Sequence, residues 1–418
     1  MKTKTLSLTF ILIFFLSNCQ IVQPTTQPTL ENVASETPVL TDINNHPDWF
    51  TRQCLNISNA PSEVKMPSGY LILAESLNNG SYKFFNIKNM VEQAFLPVNN
   101  SIWDVKVSPN QQLMLYLDGS NSPWLNKIAS LDKEINQFPD SKSWASVAWL
   151  DNEHIISGNT TSTPTSTFKI YNYLTGEETI LTLDTPNPLY WIHPTGKNIL
   201  IASINPEIDR VVYFDKNDGG RIIFWDNRSN RILSSLPYPI HESNGQVVLP
   251  AVPFFDGWSP DGKDFITTSP LVVSETEEVI VEELFQFNYD GKITQLTQFS
   301  DFYGFVRITQ PVWSPSGEFI AFWLAVSDNG NQTLDTLNQQ LVILNKKTNE
   351  IKDLCLQFGE SKYSSAAPQP IWSPDSNYFV VETRMPDGKP LVNLVNIEEN
   401  NLFTLQEGFL PVGWLISP

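Results

Sequence analysis

The chain has 418 residues, with 45 Asp and Glu against 26 Lys and Arg, and a formal net charge of -19. That balance repels polyanions and argues against nucleic acid as a partner. With 41% hydrophobic and 12% aromatic residues but only 17% charged ones, the composition favours a large β-rich core over a helical one.

From the N-terminus, Lys2 and Lys4 precede an apolar run from Leu6 to Leu16. The run is too short to span a bilayer and has the build of a secretory signal, so residues 1–18 are read as a signal peptide. The segment Leu16-Ser17-Asn18-Cys19 resembles the bacterial lipobox, although Asn18 departs from the small residue usual before the cysteine. The resemblance implies that Cys19 carries a diacylglyceryl group, and two acyl chains anchor a protein stably where one does not. The alternative is an ordinary signal with an incidental cysteine. Gln20 resembles the outer-membrane sorting signal of two-membrane bacteria and would face outside in a one-membrane cell. The expected location is therefore extracytoplasmic, lipid-anchored to the cell membrane or outer membrane. Residues 19–46 are rich in Thr, Pro, Gln and Asn with no apolar periodicity, and read as a tether with a reach on the order of 30 Å. Residues 47–68 read as a leader, and 69–418 as the folded body.

Internal repeats decide the architecture of that body. Val252 to Thr268 contains F-D-G-W-S-P-D-G-K-D-F-I, Gln310 to Trp323 reads Q-P-V-W-S-P-S-G-E-F-I-A-F-W, and Gln369 to Glu382 reads Q-P-I-W-S-P-D-S-N-Y-F-V-V-E. Weaker copies start at Val105, Val147 and Trp191, and Pro411-Val412-Gly413-Trp414 is a last fragment. Each copy is a strand, a tight turn and a second strand, because Pro presets φ, Asp bonds its own backbone, and Gly or Asn accepts positive φ. A second strand pair follows each copy, for example Gln340 to Asn345, a polar turn, and Glu350 to Cys355. Four strands per repeat, at a spacing of roughly 40 to 65 residues, match radially arranged blades. The W-S-P-D-G copies with their following strand pairs resemble the TolB-like (WD40-like) β-propeller repeat from about Gly69 onward. The expected fold is all-β, a β-propeller of about seven four-stranded blades. Gly69 to Ala74, Tyr82 to Ile87 and Gln93 to Pro97 supply three strands of the first blade, and the C-terminal strand at Val412 to Leu415 completes it and closes the ring.

Such a repeat specifies fold and leaves function open. The loops that lead into the inner strands are unequal: Leu236 to Phe255 and Phe299 to Gln310 are long, and Gln357 to Pro368 is intermediate. They carry Tyr238, His241, Phe254 and Phe255, then Phe302, Tyr303, Phe305 and Arg307, then Tyr363, an aromatic and Arg-bearing set suited to a peptide or glycan. The competing reading is that these aromatics cover the blade ends. Ser274 to Glu283 reads as a solvated acidic arm rather than a cation site, and Asp215 to Gly220 as a hairpin turn rather than a calcium loop. The histidines fall in separate segments, no C-x-x-C or G-x-S-x-G occurs, and no hydrolase domain follows the repeats, so no catalytic residue, metal or cofactor is expected. The expectation is a monomeric binding or scaffolding module, held to the membrane through Cys19, for an unidentified protein or envelope glycan. The alternative is a propeller-type carbohydrate hydrolase or lyase using carboxylates from several blades.

Beyond the tether, the cysteines are Cys54 in the leader and Cys355 in the outermost strand of the sixth blade. The leader must pass an outer blade edge before Gly69, so a disulfide between them is expected, with two buried free thiols as the alternative.

Overall fold

The computed structural model describes residues 49–58, 66–75, 82–93, 102–118, 125–137, 147–149, 152–158, 166–183, 188–189, 199–205, 210–215, 221–226, 229, 231–237, 241–243, 246–248, 257–271, 281–327, 339–358 and 367–416. All of these fall in one compact unit, Asn45–Pro418. Among them the only helix is a 3-10 turn, Phe299–Asp301.

The leader supplies β1 (Phe50–Arg52) and β2 (Asn56–Ser58). Then come β3 (Tyr70–Glu75), β4 (Tyr82–Asn86) and β5 (Val91–Gln93) in one sheet, and β6 (Ile102–Val107), β7 (Met114–Asp118), β8 (Leu125–Ala129) and β9 (Glu134–Gln137) in the next. A third sheet holds β10 (Val147–Trp149), β11 (His154–Gly158), β12 (Ser166–Asn172) and β13 (Glu178–Leu183). A fourth holds β14 (Pro188–Leu189), β15 (Ile199–Asn205), β16 (Arg210–Asp215), β17 (Arg221–Asp226) and β18 (Arg231–Pro237), and a small hairpin of β19 (His241–Ser243) and β20 (Gln246–Val248) follows. Next are β21 (Asp264–Leu271), β22 (Val281–Asn288), β23 (Ile293–Gln295), β24 (Phe305–Trp313), β25 (Phe319–Ser327), β26 (Gln340–Asn345) and β27 (Ile351–Gln357). The last are β28 (Ile371–Trp372), β29 (Tyr378–Arg384), β30 (Pro390–Asn396), β31 (Asn401–Glu407) and β32 (Phe409–Leu415). Pairing within sheets is mostly between consecutive antiparallel strands. β32 instead pairs antiparallel with β3, from Tyr70↔Leu415 to Glu75↔Phe409, so the order β32-β3-β4-β5 joins the last strand to the first strand after the leader.

The repeated turn explains why these segments pair in this way. In each of four copies a Ser hydroxyl accepts the backbone N–H five residues on, Ser108 from Leu113, Ser259 from Asp264, Ser314 from Phe319 and Ser373 from Tyr378, all at 3.0 Å. The same hydroxyls donate to Asn110, Asp261 and Asp375 in three of the copies. The side chain thus replaces a backbone partner that a turn this tight lacks. The following hairpins use a different device: Asn172 Oδ1 accepts from Leu174 and Thr175, and Asn345 Oδ1 from Lys347 and Thr348. The chain then reverses through a left-handed residue four positions on, Gly176 or Asn349.

Neighbouring sheets pack through mixed clusters. One unites Ala321 and Ile343 with Phe379 and Val395, and another unites Leu71 and Trp414 with Val380 and Leu394. Burying each of the larger side chains among them contributes roughly 1.5–3 kcal/mol. Repeat tryptophans staple one repeat to the next: Trp149 Nε1 donates to the Lys106 carbonyl at 3.0 Å, and Trp313 Nε1 to the Gly257 carbonyl at 3.1 Å. Trp372 lies stacked on Phe319 of the preceding sheet, with 15° between the rings.

Several sequence expectations are corrected. The sheets are not all separate, because a Val281↔Val306 bridge links β22 to β24 and merges two repeats into one eight-stranded sheet. The strand expected from Gln93 to Pro97 starts earlier, at Val91, since Met90 takes the left-handed turn position, and residues 94–97 lie outside the described residues. The presumed loop from Phe299 to Gln310 contains the first half of β24, and the loop from Leu236 to Phe255 contains the β19–β20 hairpin. β14 pairs parallel with β15, and the Trp191 copy lies outside the described residues.

The leader is part of the sheet system. β1 adds in parallel to β27 with Phe50↔Ile351, and β2 adds in parallel to β31 with Ile57↔Leu402. Between these two short strands, Cys54 is joined to Cys355 by a disulfide, with the Cα atoms 4.8 Å apart. Asn400 Nδ2 donates to the Cys54 carbonyl at 2.6 Å, so the strap is fixed to both sheets at the point where it crosses between them.

Candidate functional site

Strand direction sorts the candidate residues onto one end of the sheets. β24 runs from Phe305 towards the Ser314 turn, while β21 and β29 run away from the Ser259 and Ser373 turns. The starts of β22 and β24 and the close of β29 therefore share the end opposite the Ser-Pro turns. That end holds Glu282, Glu283, Arg307, Glu382 and Arg384.

The four described members of the aromatic set divide. Phe305 is 4% exposed and packs with Ala325, and Tyr303 packs against the core cluster that contains Phe322. These two cover the end of the sheet and offer little surface. Phe302 is 44% exposed, and its ring meets Trp49 of the leader edge-on at 6.1 Å. Trp49 also contacts Phe299 at 5.3 Å, and Phe50 contacts Phe299 at 5.4 Å. Phe302 is thus an exposed ring on an aromatic base that the leader helps to build. Arg307 is partly exposed, with Nε 3.6 Å from a carboxylate oxygen of Glu282. Tyr238, Phe254, Phe255 and Tyr363 lie outside the described residues, as does Cys19, and His241 is placed only by its backbone in β19.

The acidic arm is corrected at its C-terminal end: Glu282 and Glu283 are buried, not solvated. Glu283 accepts from the Thr297 hydroxyl and from the Ser300 backbone N–H at 2.6 Å, which ties the 3-10 turn to β22. Burial pushes its carboxyl above the usual range, and the bonds from Thr297 and Ser300 pull the other way. Glu382 behaves alike: burial raises its pKa, opposed by Arg384, whose Nη2 lies 2.5 Å from Oε1. Arg384 also donates to the Gly388 carbonyl at 3.1 Å and sits over the Phe358 ring at 5.8 Å. Each of these buried carboxylates therefore has a structural partner.

Sequence reading missed the Glu382–Arg384 pair, although a signal existed: two opposite charges two apart at the end of the apolar strand Tyr378 to Val381 share one face. Glu282 and Arg307 gave no such signal, because they lie on separate strands that only the fold brings together. Among the described residues, no group of three or more His, Cys, Asp or Glu is arranged to hold a metal, and no helix is long and apolar enough to cross a membrane.

No family model matches the sequence, and no curated protein matches it. Among solved structures, the chain is similar to TolB from Acinetobacter baumannii, at 15% identity over 83% of each chain with a TM-score of 0.39. It is also similar to the β-propeller domain of the Trilobed protease from Pyrococcus furiosus, at 12% identity over 81% of this chain and 98% of that one, with a TM-score of 0.47. A functionally unknown protein from Desulfotomaculum acetoxidans matches at 11% identity, over 84% of this chain and all of that one, with a TM-score of 0.45. The class of the described residues is all-β, built of meandering antiparallel sheets with β32 paired to β3.

Proposed function

We propose that the protein is a lipid-anchored, extracytoplasmic binding module that engages a protein or an envelope glycan through the end of the sheets bearing Phe302 and Arg307. In this reading the sheets form a closed ring of about seven blades, held off the membrane by the Thr- and Pro-rich tether and acting as a monomer. The Cys54–Cys355 disulfide supports export, since such bonds persist in oxidising compartments.

The observation that carries binding over sugar hydrolysis is that Glu282, Glu283 and Glu382 are each engaged, with Arg307, with Thr297 and Ser300, and with Arg384. A glycosidase needs two carboxyl groups aimed at substrate. An exposed ring and a partly exposed guanidinium at the same end of the sheets are instead suited to stacking and to hydrogen bonding of a carbonyl or hydroxyl.

Two experiments test the reading. Cys19→Ser should move the protein from the membrane fraction to the soluble one, and persistent membrane association of that variant overturns the anchor. Residues 45–418 should retain defined envelope glycans or envelope proteins, and a Phe302→Ala, Arg307→Ala double variant should lose about tenfold in affinity or more. Unchanged retention sinks the site, and polysaccharide cleavage abolished by Glu382→Gln establishes the hydrolase instead.

A further inference from the structure

Among the described residues, the outer edges of the sheets are β5, β9, β13, β18, β23, β27 and β31. An outer edge presents unpaired backbone groups, and folded proteins blunt such edges with charge, Pro, bulges, shortness or cover. Six of these seven show at least one such device. β27 and β31 are covered by β1 and β2. β23 runs three residues, and Glu92 of β5 is tied to Lys83 at 3.1 Å. β9 is bulged against β8 and holds Glu134 in an ion pair with Lys127 at 3.0 Å. β18 opens on Arg231, is bulged against β17 and closes on Pro237.

β13 is the exception. It runs six residues, Glu178-Thr179-Ile180-Leu181-Thr182-Leu183, and pairs with β12 from Tyr171↔Glu178 to Ser166↔Leu183 without a register shift. Beyond Glu178 it has no charge, no Pro and no bulge. Ile180 on this strand is 61% exposed, and Leu174 in the preceding turn is 62% exposed. It is a long, regular and apolar edge of the kind that accepts another strand.

We propose that β13 is the docking site for an extended segment of a partner protein, which adds to it as a further strand. The leader supplies the precedent, because β1 and β2 show the outer edges of two other sheets accepting an added strand in parallel. Charge selects the occupant: Glu177 and Glu178 are exposed where β13 begins, and the chain carries a net charge of -19. The segment therefore places Lys or Arg over those carboxylates and alternates branched apolar residues along Ile180 to Leu183. The same charge opposes a second copy of this chain at that edge. The proposal is independent of the Phe302 and Arg307 reading, and either can fail without the other.

The test uses the full chain in detergent with a fluorescein-labelled Lys-Lys-Val-Thr-Val-Thr-Val peptide, and a counterpart N-methylated at alternate backbone amides. Saturable binding is expected, with slowed hydrogen exchange of amides within 178–183 and about tenfold weaker binding of the N-methylated peptide. Ile180→Lys should weaken binding about tenfold, while Val91→Lys on β5 leaves it unchanged. Circular dichroism of both variants should match the parent, since both residues are exposed. Glu178→Lys, which keeps the edge and reverses its charge, should weaken binding while slowed exchange persists at 178–183 with saturating peptide. Equal binding of the N-methylated peptide, or slowed exchange confined to another edge, overturns the proposal. A dimer in sedimentation that Ile180→Lys abolishes, without peptide binding, assigns the edge to a second copy and overturns it as well.

Discussion

Replacing Cys54 and Cys355 together by Ser tests how far the leader strap is held by its covalent bond. The disulfide spans a sequence separation of 301 residues, so in the chain-entropy treatment it removes on the order of 19 cal/mol/K from the unfolded ensemble, or about 6 kcal/mol at 25 °C. The unfolding entropy of a body this size, Asn45–Pro418, is on the order of 0.8 kcal/mol/K, so the double variant should melt about 7 °C lower. Differential scanning fluorimetry of the parent, the variant and the reduced parent measures this. The reduced parent and the variant should melt together. The native contacts of the strap survive the substitution, because β1 and β2 keep their ladders and Asn400 keeps its bond to the Cys54 carbonyl. The loss should therefore fall on the unfolded state, and residual structure in that state would reduce it. A shift below about 2 °C, with the parent shown to be fully oxidised, would refute the loop-closure reasoning.

Three further outcomes follow from the packing. Glu283 and Glu382 both have folded-state values above their usual 4.5, so the folded protein holds these protons more tightly than the unfolded chain does. Stability should then decline as pH rises from about 4.5 through the raised values, and Glu283→Gln should flatten that limb of urea midpoints measured against pH; identical slopes in parent and variant count against the assignment. Ser373→Ala removes the acceptor of the buried Tyr378 N–H and should cost about 1–3 kcal/mol by urea unfolding, against about 0.5 kcal/mol or less for Ser316→Ala, whose backbone partner is exposed. Gly257→Ala would place a Cβ 2.4 Å from the Phe265 ring and 2.8 Å from the Ile266 carbonyl, so it should destabilise by about 1–3 kcal/mol, whereas at Gly176, with open space around it, the cost is confined to backbone strain at φ +78.

The sequence alone determined the local rules. Ser-Pro-Asp-Gly and the Asn-led hairpins are legible because their chemistry is contained within about five residues: a hydroxyl or amide oxygen satisfies a nearby backbone N–H, and Gly or Asn takes the left-handed step. Repetition of that chemistry made the sheet system legible, and passage of the leader along an outer edge brought Cys54 near Cys355. Only the tertiary structure decided how the faces are used. Phe302 and Phe305 stand three apart in one segment, yet one ring is exposed on Trp49 and the other is buried against Ala325. Glu282 and Glu283 read as solvated because an acidic run alone cannot show that Arg307, Thr297 and Ser300 lie ready to receive them. That β13 has no strand on its outer side among the described residues was equally hidden, because whether a strand is covered depends on what the rest of the chain lays beside it, and the leader is laid beside β27 and β31.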